Sequence, residues 1–273
     1  KGYVTPRLPA TAFSSSMLCA SLALLAVHRA PAAPRSRGGA RSAVVSPTTP
    51  APLPLVERFW SKAAYLSHHS EVLGDALAFA AEAHDGQRRR SGEAFIVHPI
   101  EVAIILAGWR MDADAIVAGL LHDTVEDTDV TVEQIEGRFG AAAASIVAGV
   151  TDGAAVPASQ SQRELLLAIS RDWRVALLKL ADRTHNMRTL VHMPAAKQAA
   201  KSRETLDLFV PLARRLGVEE IERELDQLCV SYLGEERPDG PSLLDSLLED
   251  ERICLRRQRA CWREHRGACA SSV

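Results

Sequence analysis

The chain has few cysteines, no long apolar run and, over its first fifth, no acidic residue at all. Its five cysteines in 273 residues are Cys19, Cys229, Cys254, Cys261 and Cys269. None is spaced Cys-x-x-Cys and their number is odd, so neither a disulfide framework nor a structural zinc cluster is indicated. The apolar run Leu18–Val27 is ten residues long, half of the roughly 20 needed to cross a bilayer. No stable membrane insertion is expected. Residues 1–56 carry six basic residues and no acid, which leaves 26 basic and 34 acidic residues over 57–273, a net charge of −8 there. A body this acidic lacks the basic face that nonspecific binding to nucleic acid requires, so no nucleic-acid partner is expected. There is no internal repeat.

Eight of the fourteen prolines fall within the first 54 residues, among Ala, Ser, Arg and Gly. Such a stretch buries too little apolar surface to offset its ordering entropy, and 1–56 is expected to be a disordered targeting leader. Acid-poor, Arg- and Ser-containing composition marks an organellar transit peptide. From Met17 the order is an apolar run, a cleavage-like Ala30-Pro31-Ala32 and an Arg-rich tract at 35–41. That order is similar to the two-part leaders of algae whose plastids have several membranes. A plastid (chloroplast) location is therefore expected, with a cytoplasmic protein behind an untranslated or mis-assigned leader as the alternative. Because the chain opens on Lys1, its true start is expected either upstream or at Met17.

Beyond Val56 no alternation of apolar and polar residues persists, whereas a 3.6-residue period recurs, so the body reads as all-α. Helices are expected over 72–84, from Pro99, from an Asp112 N-cap through Val125, and from a Thr131–Gln134 capping box. Residues 153–161 read as a loop. Helices follow over Arg163–Ser170 and Arg174–Arg183, then a long one from about Ala195 to Leu216 that Pro211 should kink or divide. Gly217 suits a C-cap before a charged amphipathic helix over Val218–Leu233. The reading is one helical domain over 57–233 and a dispensable tail over 234–273, partly helical or disordered, with one weakly amphipathic segment.

The chemically informative residues are His122-Asp123 and Glu126-Asp127. On a continuous helix, positions three and four apart share a face, so three carboxylates and an imidazole would crowd one turn beside the apolar run Ile116–Leu121. Such crowding is costly unless a cation compensates or some carboxyls stay protonated. Solvated capping residues at a helix end are the bland alternative. Two more segments strengthen the metal reading: His98 opens a helix behind the basic run Arg88-Arg89-Arg90, and Asp182 follows an apolar helix. Taken singly, His98 would be a buried, hydrogen-bonded histidine, Asp182 an ion-pair partner of Arg183, and the arginines a solvated loop. Together the two imidazoles and two carboxylates suit manganese, iron or zinc, the oxygens leaning to the harder ion.

His98, His122-Asp123 and Asp182 resemble the H…HD…D pattern of the HD phosphohydrolase superfamily. More narrowly, three runs in order resemble the hydrolase domain of RelA/SpoT homologues: Arg89-Arg-Ser-Gly-Glu-Ala-Phe-Ile-Val-His98-Pro99, His122-Asp-Thr-Val-Glu126-Asp127-Thr128 and Lys179-Leu-Ala-Asp182-Arg-Thr-His185-Asn186-Met-Arg-Thr189. The resemblance covers about 73–233, including Glu204-Thr-Leu and Pro211–Gly217. Arg90 stands where Lys is common, Ala94 where Pro is usual and Thr184 where Leu is usual.

That resemblance implies an all-α HD-domain bundle that hydrolyses the alarmones ppGpp and pppGpp, releasing pyrophosphate from the ribose 3′ position with Mn²⁺ as cofactor. His98, His122, Asp123 and Asp182 would be the metal ligands, and Glu126 and Asp127 would orient or deprotonate the attacking water. Arg89 and Arg90 would hold the guanine base or a flanking phosphate, and Lys179, Asn186 and Thr189 would contact the nucleotide. Long homologues continue into a synthetase domain of about 200 residues, comparable to a typical domain, but only forty residues follow Leu233. A hydrolase-only form or a fragment is expected, without alarmone synthesis. The alternatives are an HD phosphohydrolase on another nucleotide such as NADPH, and a catalytically silent nucleotide-sensing module.

Overall fold

The computed structural model describes residues 53–151, 158–233, 242–250 and 255–270, so the expected leader lies outside them except for its last four residues. The helices are α1 (Leu53–Lys62), α2 (Ser70–Ala83), α3 (Val97–Gly108), α4 (Ala113–Leu121), α5 (Thr124–Asp127), α6 (Val132–Phe139) and α7 (Ala141–Val150). They are followed by α8 (Ala158–Arg171), α9 (Trp173–Arg188), α10 (Ala195–Glu204), α11 (Val210–Leu216), α12 (Glu219–Leu233), α13 (Leu243–Asp250) and α14 (Arg256–Ala270). An isolated bridge between Arg88 and Ala94 is the only β pairing among the described residues. The fold is all-α.

Three helices form the centre: α3 and α4 are apolar nearly all round, as a helix with neighbours on every side must be, while α9 buries an apolar face and carries Arg174, Lys179 and Arg183 off it. In α3, Ile100, Val102, Ala103 and Leu106 are buried; in α4, every residue from Ala115 to Leu121; in α9, Val175–Leu178, Leu180 and Ala181. α3 packs against α4 and α9, and α4 also touches α9. Each fully buried Leu or Ile contributes about 1.5–3 kcal/mol, so this core can carry the cost of a few buried polar side chains. His98 sits in the first turn of α3, where the missing N–H of Pro99 costs nothing because first-turn donors have no intrahelical partner anyway. His122-Asp123 follows the last residue of α4, and Asp182 lies within α9.

The helix expected from Asp112 through Val125 is shorter than its pattern. Asp112 does cap it, accepting from the Ala115 N–H at 2.9 Å. It stops at Leu121 because side chains take its last carbonyls: His122 Nδ1 lies 2.9 Å from Gly119 O, and the Thr124 hydroxyl donates to Leu121 O at 2.7 Å. Local side-chain bonds of this kind compete with the backbone ladder. His122-Asp123 is therefore a turn, and Glu126-Asp127 belongs to the one-turn helix α5, not to the same continuous face.

The Thr131–Gln134 capping box is present in full. Helix α9 runs on to Arg188, so Asp182 is inside the helix and not after it. The expected loop at 153–161 lies partly outside the described residues, and α8 begins at Ala158. The long helix from Ala195 is divided, as Pro211 requires, but upstream of the proline: a π-helical stretch spans Thr205–Phe209. Proline supplies no N–H to the carbonyl four residues before it, and a wider turn there absorbs the mismatch. Gly217 adopts φ 77°, ψ 34°, the left-handed cap that a glycine takes without strain.

The ends are more integrated than a dispensable tail. In α1, Leu55, Val56, Phe59 and Trp60 are buried, across the expected boundary at 57. In the tail two helices stand where one segment was expected; they bury Leu244, Leu247, Leu248 and Trp262. The Trp262 ring lies 5.7 Å from that of Trp173, Gln258 donates to Ser170 O at 2.7 Å, and His265 Nε2 is 2.7 Å from Arg110 O. The inward face of α14 is thus Gln258, Trp262 and His265, two of the three polar, which is why hydrophobic periodicity misses it.

At Gly119, α4 packs closely on α3. A Cβ there would stand 2.7 Å from the Leu106 side chain and 3.7 Å from Ala103 Cα. Leu106 is fully buried, so overpacking is relieved only by displacing core. Gly119→Ala is expected to lose about 1–3 kcal/mol of stability in urea melts, and an unchanged midpoint would show the contact to be slack.

Candidate metal centre

The three central helices bring four donors to one point. His98 Nε2 lies 3.1 Å from Asp182 Oδ1 and 3.3 Å from Asp123 Oδ2. His122 Nε2 lies 3.1 Å from Asp123 Oδ1 and 3.8 Å from Asp182 Oδ1. Ligand atoms of His98, His122 and Asp123 fall within 4.8 Å of one another. Both imidazoles are buried, at 2% and 4% exposure. Asp182 does not pair with Arg183. That guanidinium instead meets Glu204 at 2.9 Å and lies 4.1 Å over the Phe209 ring.

The donor set fits a divalent cation. His122 Nε2 is buried and has no hydrogen-bond partner, while its Nδ1 faces Gly119 O, an acceptor. Nδ1 therefore carries a proton, and in the neutral ring Nε2 is the lone pair that faces the carboxylates. Burial acts to push the His122 imidazole down, but the Asp123 charge, joined by Asp182, raises it to about 9. Burial likewise acts to raise both carboxyls, yet His122 and His98 hold Asp123 below its usual range and Asp182 well below. Two ionised carboxylates make a negative field that the raised His122 imidazolium balances in the metal-free protein, and a divalent cation taking the place of its Nε2 proton would balance it as well. Mixed imidazole and carboxylate donors suit first-row divalent metals.

Around this point opens a cleft of about 690 Å³, lined by His98, Asp123, Glu126 and Asp182 on one side. Arg88, Arg89, Arg90, Lys179, Asn186 and Thr189 also line it, so every residue expected to contact a nucleotide does. The arginines sit on a tight hairpin: Arg89 N–H donates to Glu93 O at 3.0 Å, Gly92 N–H to Arg89 O at 2.9 Å, and Gly92 takes φ 87°. Lys179 has a structural task besides, donating to Val150 O at 2.8 Å at the end of α7. Thr189 Oγ1 donates to His185 O at 3.1 Å.

The acidic pair divides. Glu126 lines the cleft; the neighbouring Asp127 does not. Burial, reinforced by Asp123, pushes the Asp127 carboxyl up. The Asp127 backbone carbonyl accepts from Gln87 Nε2 at 2.8 Å, and Gln87 Oε1 lies 2.9 Å from His84 Nδ1.

One residue of the site was given no role by the sequence. His185, buried in α9, places Nδ1 2.7 Å from His98 Nδ1. Burial, then His98 and Arg89, push its imidazole down to about 3, so it is neutral. Its signal was its position three after Asp182, on the same face of one helix.

A model of the HD domain matches residues 76–219. The chain belongs to the HD-domain family. The chain is 49% identical over 174 residues to the chloroplastic GTP diphosphokinase RSH1 of Oryza sativa subsp. japonica, covering 58% of this chain and 20% of that protein. It is 46% identical over 173 residues to a GTP pyrophosphokinase of Myxococcus xanthus, covering 60% of this chain and 23% of that one. It is 44% identical over 175 residues to a guanosine-3′,5′-bis(diphosphate) 3′-pyrophosphohydrolase of Aquifex aeolicus, covering 62% and 25%. The match thus spans only a fifth to a quarter of these relatives. The likeness to RelA/SpoT homologues holds, and the all-α HD bundle is the fold it implies. Among the described residues no helix is long and apolar enough to cross a membrane.

Proposed function

We propose that this HD domain hydrolyses the 3′-pyrophosphate of ppGpp and pppGpp, yielding GDP or GTP and pyrophosphate, with Mn²⁺ as its metal, in alarmone turnover (the stringent response) within a plastid. The observation that carries the reading is the convergence of His98, His122, Asp123 and Asp182 at one wall of a cleft whose rim is a run of arginines. The name borne by the Aquifex relative supports the reaction, and the chloroplastic rice relative supports the location, as does the leader composition. The cleft volume lies within the range of sites for small ligands, about 300–1,000 Å³.

His98, His122, Asp123 and Asp182 would hold the Mn²⁺. When bound, the ion supplies a lowered pKa for water and polarisation of a phosphoryl oxygen. The remaining work falls to side chains. Glu126, at the cleft wall beside Asp123, accepts a proton from the attacking water. The water oxygen bonds to the phosphorus nearer the ribose, the bond from that phosphorus to the 3′ oxygen breaks, and the ribose oxygen leaves with a proton taken from solvent, to which Glu126 afterwards returns its own. Asp127, set back from the cleft, tunes the field and does not touch the water. Arg89 and Arg90 bind the guanine or a flanking phosphate, and Lys179, Asn186 and Thr189 line the nucleotide's path. Phosphoryl transfer depends chiefly on such positioning and charge neutralisation.

The test is pyrophosphate release from ppGpp by the full chain with Mn²⁺, repeated after chelation. Release that stops with the chelator and returns with Mn²⁺ is expected. Turnover of NADPH but not ppGpp, or binding of ppGpp without turnover, would overturn the reading.

A further inference from the structure

Five side chains close a ring of polar contacts that reaches from the exposed arginine turn into the metal centre. Arg89 Nη2 donates to Asn186 Oδ1 at 2.8 Å, and Asn186 Nδ2 donates to Asp182 Oδ1 at 2.6 Å. Asp182 Oδ1 faces His98 Nε2 at 3.1 Å, His98 Nδ1 faces His185 Nδ1 at 2.7 Å, and His185 Nδ1 faces Arg89 Nη1 at 3.4 Å. The directions of the contacts made by Arg89 and Asn186 follow from fixed donors and acceptors, and they settle the one between the histidines. A guanidinium only donates and a carboxylate only accepts, so Asn186 must turn its oxygen to Arg89 and its amide to Asp182. For the same reason His185 Nδ1 must be a lone pair. The proton between the two histidines then belongs to His98 Nδ1, which leaves Nε2, the nitrogen aimed at Asp123 and Asp182, as the one whose lone pair a metal ion between them would take.

We propose that His185 is a positioning residue that holds His98 in its metal-binding tautomer, and that Arg89, through His185 and Asn186, sets the geometry of two metal ligands at once. A ligand imidazole whose other nitrogen donates to a fixed acceptor is both oriented and made more basic. His98 is supported by another imidazole, whereas His122 is supported by a backbone carbonyl, Gly119 O. The two ligands therefore differ in how they can be disturbed: a side-chain substitution reaches the support of His98 and cannot reach that of His122. The inference rests on the metal part of the proposed function, not on the identity of the nucleotide.

The experiment is equilibrium binding of Mn²⁺ alone to the full chain, read from the electron paramagnetic resonance signal of free Mn²⁺. Melting curves of the metal-free proteins serve as a control. His185→Leu is expected to weaken Mn²⁺ binding about 10–100-fold. His185→Asn is expected to restore it, because Asn Oδ1, bonded to Cγ as His Nδ1 is, puts an acceptor at the same place. Arg89→Met, on a half-exposed turn, should keep the fold and weaken binding about two- to tenfold. Wild-type affinity in His185→Leu overturns the proposal, as does a folded His185→Asn no better than His185→Leu. Should His185→Leu fail to fold, unchanged affinity in Arg89→Met overturns it instead. Absence of Mn²⁺ binding by the wild-type chain defeats the metal reading itself, a result distinguishable from the others.

Discussion

Asp123→Ala is expected to lower Mn²⁺ affinity more than about 100-fold, beyond what loss of an outer-shell partner costs, and to bring pyrophosphate release to background. Asp123 offers one oxygen 3.3 Å from His98 Nε2 and the other 3.1 Å from His122 Nε2, so its loss strips both imidazoles of a facing carboxylate at once. The side chain is 19% exposed and its removal opens no apolar cavity, so the metal-free fold should persist. Isothermal titration with Mn²⁺, a melting curve and the pyrophosphate assay on the same preparation separate the effects. Residual turnover near the wild-type rate would mean that the chemistry does not use this centre.

Glu126→Ala is expected to behave in the opposite way, keeping bound Mn²⁺ and losing about 10²–10⁴-fold in turnover, the usual contribution of a general base. Glu126 stands on α5, beyond the four converging donors yet on the cleft wall with Asp123 and His98. Asp127→Asn should cost less, because its carboxylate does not line the cleft. A wild-type rate in Glu126→Ala would refute the assigned role, and lost metal would make it a ligand.

Much of the scaffold was legible in local patterns. Asp112 caps α4, Thr131 and Gln134 close a capping box, and Gly217 ends α11, because caps depend on residues within one turn of each other. The four donors were also legible as residues, since each lies within a long recognisable run. Less legible was how they are presented. The apparent common face of His122, Asp123, Glu126 and Asp127 presumed an unbroken helix, and the bonds from His122 and Thr124 to the carbonyls of Gly119 and Leu121 break it. Lys179 read as a ligand for substrate, but its ammonium also reaches the last carbonyl of α7, from another part of the chain.

Residue order by itself determined that the chain is helical, where several helices are capped, and which imidazoles and carboxylates are available, because these depend on spacing along the backbone. Only the packing of α3, α4 and α9 decided that His98, His122-Asp123 and Asp182 meet, that His185 backs His98, and that α14 joins the core through Gln258, Trp262 and His265. Those contacts join side chains tens to more than a hundred positions apart. Their distances are set by how apolar helices fill shared volume, a quantity that no periodicity within a single segment contains.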